Sequence, residues 1–258
     1  MAGGAHFRNE NSDARRYPMT IYAIGDIHGQ IGMLHDTLEL IEADGGDSAH
    51  IVFLGDYTDR GPDSRAVLDL LVDGRDTGKP WTFIKGNHDR MFEWFMSDYP
   101  KHDAYLPVEL NWLNPRLGGD TALASYGVEV TQKRRMLDIH ADARHAVPQD
   151  HIAFLRNLQL SYETDDVFFA HAGIRPQIAL AQQSEHDLLW IRQEFHHYNM
   201  PHPKLIVHGH TPIDAATHYG NRLNLDTGAG YGQALSVAVF EGDKAWVLTG
   251  QGRVPLTP

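Results

Sequence analysis

Short apolar runs that stop at glycine-bearing polar clusters set the rhythm of this chain. Thr20–Ile24, His50–Leu54, Trp81–Ile84, Asp166–Ala170 and Leu205–Val207 are rich in β-branched and aromatic residues. Runs of this kind read as buried strands. Between the first three the period changes. Ile31, Leu34, Leu38 and Ile41 recur at three- and four-residue spacing within Gln30–Ile41, and Ala66, Val67, Leu70 and Leu71 follow Gly61-Pro62-Asp63. Both stretches predict amphipathic helices, so the chain opens as βαβαβ.

From Met91 to about Ser161 the strand rhythm is lost. This stretch holds Trp94, Tyr105, Trp112 and Tyr126, and it is expected to be a mostly helical insertion, about 91–161, that caps the strand ends. Its methionines and aromatics read as ordinary core packing. Beyond His210 the β-rich runs Ala216–Tyr219, Arg222–Leu225, Leu235–Phe240 and Ala245–Leu248 are separated by Gly220-Asn221 and Glu241–Lys244, which predicts hairpins. The expected whole is an α/β (α+β) fold, a β-sandwich of two mixed sheets flanked by helices. No Pro-, Gly- or Ser-rich linker divides the chain, so 18–258 reads as one domain behind a loose amino-terminal arm, 1–17.

Composition narrows the function classes. A chain of 258 residues with 42% hydrophobic side chains can bury one substantial core. There is no cysteine, which excludes disulfide bracing and thiol-dependent phosphatase chemistry. A net charge of −12 argues against a broad nucleic-acid-binding face, and Lys133-Arg134-Arg135 is too short a basic cluster to alter that. Met1–Tyr17 carries no apolar signal segment and no run approaches a membrane span. A cytoplasmic location and no membrane partner are expected. His196-His197 and His202 read as residues of a solvated loop.

The chemistry lies where the strands end. Gly25-Asp26-Ile27-His28-Gly29, Gly55-Asp56-Tyr57-Thr58-Asp59-Arg60-Gly61, Gly86-Asn87-His88-Asp89, His171-Ala172-Gly173 and Gly209-His210-Thr211 each follow one of the five apolar runs. Alone, a Gly-Asp pair is a common turn. On five strands of one fold such motifs converge, because open α/β sheets place their sites at the carboxyl ends of strands. Asp26, His28, Asp56, Asn87, His171 and His210 then supply oxygen and imidazole ligands without thiolate, a set that suits Mn, Fe or Zn. Asp26 and His28 are two residues apart, so a nearly extended strand end would point both at one metal. Asp56 has two carboxylate oxygens and is assigned as the bridge between two cations. Asn87, His171 and His210 complete the second metal.

With these motifs in order, the chain resembles the phosphoprotein phosphatase branch of the calcineurin-like metallophosphoesterases, especially the small bacterial and phage serine/threonine phosphatases. The pattern GDxHG, GDxxDRG, GNH(D/E), HxG and GH runs from Gly25 to His210 and extends to Leu225-Asp226-Thr227-Gly228-Ala229. The resemblance implies that His88 is the general acid and that Asp59 holds it. It also implies that Arg60 and Arg192 bind substrate phosphate, with Asn87 beside them. Pro212 stands where many calcineurin-like enzymes carry a further His ligand, so the first metal keeps three protein ligands. His208 lies outside the usual ligand slot and reads as a packed residue.

The implied activity is metal-dependent hydrolysis of phosphate monoesters, phosphoserine and phosphothreonine in proteins first and phosphotyrosine after them. A hydroxide bridging two divalent ions, manganese foremost, would attack phosphorus directly. The partner would be a phosphoprotein or a small phosphorylated substrate. Symmetrical dinucleoside tetraphosphate hydrolases share the motifs and form the alternative. A catalytically silent metal-binding module would need the ligands but not Asp59, Arg60 and His88.

Overall fold

A computed structural model describes residues 20–258. The expected arm at 1–17 lies outside the described residues. The chain opens as β1 (Ile21–Ile24), α1 (Ile31–Gly45), β2 (His50–Phe53), α2 (Ser64–Asp76) and β3 (Trp81–Phe83). β1, β2 and β3 are parallel neighbours. α3 (Asn87–Phe95), α4 (Gly119–Ser125), α5 (Met136–Ala146) and α6 (Gln149–Arg156) come next. The expected mostly helical insertion is built of these helices, with a stretch at 96–118 of turns and bends and no helix or strand. Pro100, Pro107 and Pro115 interrupt that stretch, and each removes a backbone donor and restricts the residue before it.

The remaining elements are β4 (Ser161–Glu163), β5 (Val167–Ala170), α7 (Glu185–Trp190), α8 (Gln193–His196), β6 (Leu205–His208), β7 (Thr217–His218), β8 (Arg222–Asn224), β9 (Val237–Glu241), β10 (Lys244–Thr249) and β11 (Gly252–Pro255). They form two mixed sheets, in the orders β11-β10-β9-β1-β2-β3 and β4-β5-β6-β8-β7. The expected hairpins are present, with β7 antiparallel to β8 and β9 antiparallel to β10.

The period of two explains why the strands are apolar throughout. Ile21 and Ala23 of β1 pack in the layer between the sheets with Val167, Phe169 and Val207. Tyr22 and Ile24 turn the other way, onto α1, α2 and the insertion. On the second sheet Phe168, Ala170 and Ile206 pack beneath Leu188, Ile191 and Phe195 of the α7–α8 region. Both sheets are therefore covered on both faces, and their strand ends meet at one edge. Among the described residues no helix is long and apolar enough to cross a membrane.

Candidate active site

At that edge Asp26 follows β1, Asp56 follows β2 and Asn87 opens α3, while His171 follows β5 and His210 follows β6. All five side chains and that of His28 are buried. The loops that carry them are strained in a consistent way. Among the described residues, six non-glycine positions have positive φ, and five of these are His28, Asp56, Asp59, Arg60 and His210. Each such backbone costs about 1–3 kcal/mol unless its surroundings enforce it. The expectation of a nearly extended Asp26–His28 segment is corrected here: β1 ends at Ile24, and His28 reaches the centre from a left-handed turn at φ 48°.

Two close approaches require glycine. A Cβ on Gly86 would stand 2.0 Å from Asp56 Oδ1, and one on Gly209 would stand 2.0 Å from Asp26 Oδ1. The motif glycines thus let backbone lie against the carboxylates.

Asp56 sits between the two halves of the cluster. Its Oδ2 is 3.5 Å from His28 Nε2 and its Oδ1 is 3.5 Å from His171 Nε2. His28 Nδ1 donates to Thr58 O at 2.8 Å and His171 Nδ1 donates to Leu54 O at 2.9 Å. Those bonds place the protons on Nδ1 and leave Nε2 as a lone pair directed inward. His171 Nε2 and Asn87 Oδ1 face one another at 2.9 Å, and His210 Nδ1 is 2.8 Å from the same Oδ1. In this arrangement His210 Nδ1 donates to Asn87 Oδ1, whereas the lone pairs of His171 Nε2 and Asn87 Oδ1 are directed at one another and are satisfied by a cation between them, so the donor set fits divalent metal. The donor atoms of His28, Asp56 and His88, and those of Asp56, His171 and His210, form two groups within 4.8 Å. Asp56 belongs to both groups. Asp26 stands outside them, its carboxylate accepting the His210 amide at 3.1 Å and 3.2 Å.

Burial and mutual repulsion shape the charges. Burial pushes the Asp56 carboxyl up to about 7. Burial, then the neighbouring Asp226 and Asp56, holds Asp26 well above the usual carboxylate range. Burial lowers the imidazoles of His28, His171 and His210, keeping them neutral and able to ligate.

Arg60, Arg192 and His88 lie over this cluster. The Arg60 guanidinium contacts His28 Nε2 and donates to His88 Nε2 at 3.0 Å, and Tyr231 lies against its face at 4.9 Å. Arg192 Nε donates to His210 Nε2 at 3.1 Å. The two arginines flank the centre from its two halves. His88 Nδ1 lies 2.7 Å from Asp59 Oδ2.

Several residues here carry no role in the sequence reading. Asp89, beyond ending its motif, accepts the amides of Asp56, Tyr57 and Gly86 and so ties two motif loops together. Its place at the third position of α3 is the signal, since an acidic side chain there reaches back to the helix start. Asp226 is quoted in the extended motif, yet its burial beside Asp26 is a tertiary fact. Trp112 donates to Asp59 Oδ2 at 2.8 Å, and no local pattern announces that contact. His208 is buried and packed, 5.0 Å from the Phe195 ring between centroids. His196 and His202 are half-buried rather than solvated, because both rings pack against Phe195.

A family profile described as calcineurin-like phosphoesterase matches residues 19–240. The symmetrical bis(5'-nucleosyl)-tetraphosphatase of Janthinobacterium sp. (strain Marseille) is 32% identical over 165 residues, 64% of this chain and 47% of that protein. The chain thus aligns with about half the length of that relative. Serine/threonine-protein phosphatase 2 of Escherichia coli (strain K12) is 26% identical over 220 residues, covering 81% of this chain and 87% of that one. A crystal structure provisionally described as a diadenosine tetraphosphatase superposes with a TM-score of 0.62 at 23% identity, covering 93% of this chain and 95% of that one. That likeness concerns the fold.

Proposed function

The chain belongs to the calcineurin-like phosphoesterase family, and from that premise we propose that it is a phosphoprotein phosphatase acting on phosphoserine and phosphothreonine. Phosphotyrosine is open to the same chemistry. Asp26, His28 and Asp56 would hold one divalent cation, and Asp56, Asn87, His171 and His210 a second; this oxygen and nitrogen set admits manganese, iron or zinc, and manganese is the metal we propose. Bound there, the pair supplies positive charge for the phosphoryl oxygens and a water acidified toward neutrality.

The chain's own residues do the rest. Arg60 and Arg192 exchange imidazole acceptors for phosphate oxygens, which form stronger, charge-assisted bonds. They orient the ester and stabilise the charge of its transition state. His88 delivers a proton to the departing oxygen, and Asp59 supports the charged imidazole.

The observation that carries this reading is the buried pair of His88 and Asp59 beside Arg60. A serine alkoxide is a strong base and departs poorly without a proton. A nucleotide leaving a phosphoanhydride is a weak base and needs an acid far less. A positioned acid therefore suits alkyl esters, and because the tetraphosphatases share these motifs the substrate assay, not the pair itself, separates the two readings.

A second reading rests on the tetraphosphatase relatives and on Tyr231, whose ring is 62% exposed against Arg60. Such a face can stack a nucleobase. Parallel rates on phosphoserine peptides, nitrophenyl phosphate and diadenosine tetraphosphate in manganese decide between them. Preference for the dinucleotide over the peptide by kcat/KM would sink the first reading.

A further inference from the structure

Asp59 is fully buried, and its two oxygens are treated unequally. Oδ2 accepts His88 Nδ1 at 2.7 Å and the indole N–H of Trp112 at 2.8 Å, whereas Oδ1 is buried with no partner. The plane of the carboxylate is therefore fixed from one oxygen only. Its backbone, at φ 74°, is anchored by the amide donating to Ser64 Oγ at 3.0 Å.

Trp112 is itself held firmly. Its ring stacks on Phe92 at 4.9 Å and tilts against Phe95 at 4.9 Å, and both belong to α3, the helix that begins at Asn87 and His88. The same turn-built stretch reaches the site a second time, where Gly118 O accepts the Arg60 amide at 3.3 Å. Trp112 is thus a rigid donor fixed to the helix that carries His88, and it is aimed at the group that orients His88.

We propose that Trp112 is a positioning residue for leaving-group protonation. Its N–H fixes the carboxylate of Asp59 and, through it, the direction of the His88 imidazole. Without that donor the carboxylate can turn about its own axis, and the imidazole loses its aim at the departing oxygen. The inference rests on the reading of His88 as the acid. Packing alone would make Trp112 a stabilising residue indifferent to the leaving group.

The test uses the full-length, manganese-loaded protein. Trp112 is replaced by Phe and, separately, by benzothienylalanine, which keeps a bicyclic ring but has sulfur in place of N–H. For each, kcat and KM are measured on a phosphoserine peptide and on nitrophenyl phosphate, with metal content and Tm recorded. The benzothienyl variant should lose about tenfold in kcat on phosphoserine at constant KM and metal content, the scale of an orienting hydrogen bond. Nitrophenyl turnover should move less than about twofold, because that leaving group needs little protonation. On an Asp59→Asn background the change at Trp112 should add nothing, since the two act as one unit. Equal losses on both substrates, or full additivity with Asp59→Asn, would overturn the proposal and leave Trp112 as packing. His88→Asn measured alongside separates the two readings. If it shows no leaving-group dependence, the acid assignment fails and this inference with it. If it shows that dependence while the Trp112 variants do not, only the role of Trp112 fails.

Discussion

His88 and Asp59 are joined at 2.7 Å between Nδ1 and Oδ2, both buried, with the Nε2 of His88 turned toward Arg60. Burial and the Arg60 charge push this imidazole well below its ordinary range. A phosphate dianion that engages Arg60 reverses the local sign of charge and makes the imidazolium favourable. His88→Asn should therefore keep its metal but lose about 10²–10⁴-fold in turnover on phosphoserine. The deficit should shrink on nitrophenyl phosphate. Equal deficits on the two substrates, at unchanged metal content, would refute the acid role.

Asp56→Asn removes the residue whose two oxygens face His28 and His171 at 3.5 Å each. An amide offers one oxygen and two hydrogens, so it cannot serve two cations. Metal content, by elemental analysis, should fall together with turnover, the latter by about 10²-fold or more. Two bound metals at near-normal turnover would move the bridge to another residue.

The strand ends and the centre were legible in the sequence for a physical reason. β1, β2, β5 and β6 are buried on both faces, so each appears as a continuous apolar run that glycine stops. The side-chain types gathered there are those that a divalent metal needs. The left-handed backbones at His28 and Asp56 were not legible, because Asp and His tolerate positive φ without advertising it. Nor was the contact of Trp112 with Asp59, 53 residues away in sequence. It depends on how a segment of turns folds back, and periodicity says nothing of that.

Away from the site, Arg253 gathers β1, α1 and β9 by pairing with Asp44 and Glu241, while the Tyr22 hydroxyl donates to Asp44 at 2.7 Å. The bonds to Arg253 hold both carboxyls below their ordinary values. Carboxyls lowered in the folded state add stability that is present above the ordinary carboxylate range and lost as pH falls through their folded values. Arg253→Gln should thus cost about 1 kcal/mol at neutral pH, and its Tm gap from the wild type should close below about pH 4. Burial also pushes the Tyr22 phenol up to about 12. That contribution is complete below the ordinary tyrosine value of 10 and is lost as pH rises past it. A Tm gap independent of pH between 3 and 7 would show that the ion pairs contribute nothing.

The buried carboxylates predict that metal stabilises the fold as well as serving the proposed reaction. In chelated protein Asp56 is raised to about 7, with Asp26 well above its ordinary value and Asp226 also raised. Acids raised in the folded state give stability that is complete below the unfolded value and lost as pH climbs through the folded one. The imidazoles of His28, His171 and His210 are lowered, and they act oppositely up to their ordinary 6.5. Above 6.5 only the carboxylate effect remains. Between about pH 6.5 and 8 the Tm of chelated protein should therefore fall. Manganese should flatten that slope, because the cations offset the charges of the carboxylates that hold them. At a hundredfold excess over Kd each site adds about 2.7 kcal/mol, which for a chain of this size raises Tm by roughly 5–10 °C. Asp56→Asn should show a shallower slope, since Asp26 and Asp226 remain raised, and less than the full rise. A wild-type Tm that is flat from pH 6.5 to 8 in chelator would show that these carboxyls are not raised, and one that manganese leaves unmoved at pH 8 would show that they do not form a cation site.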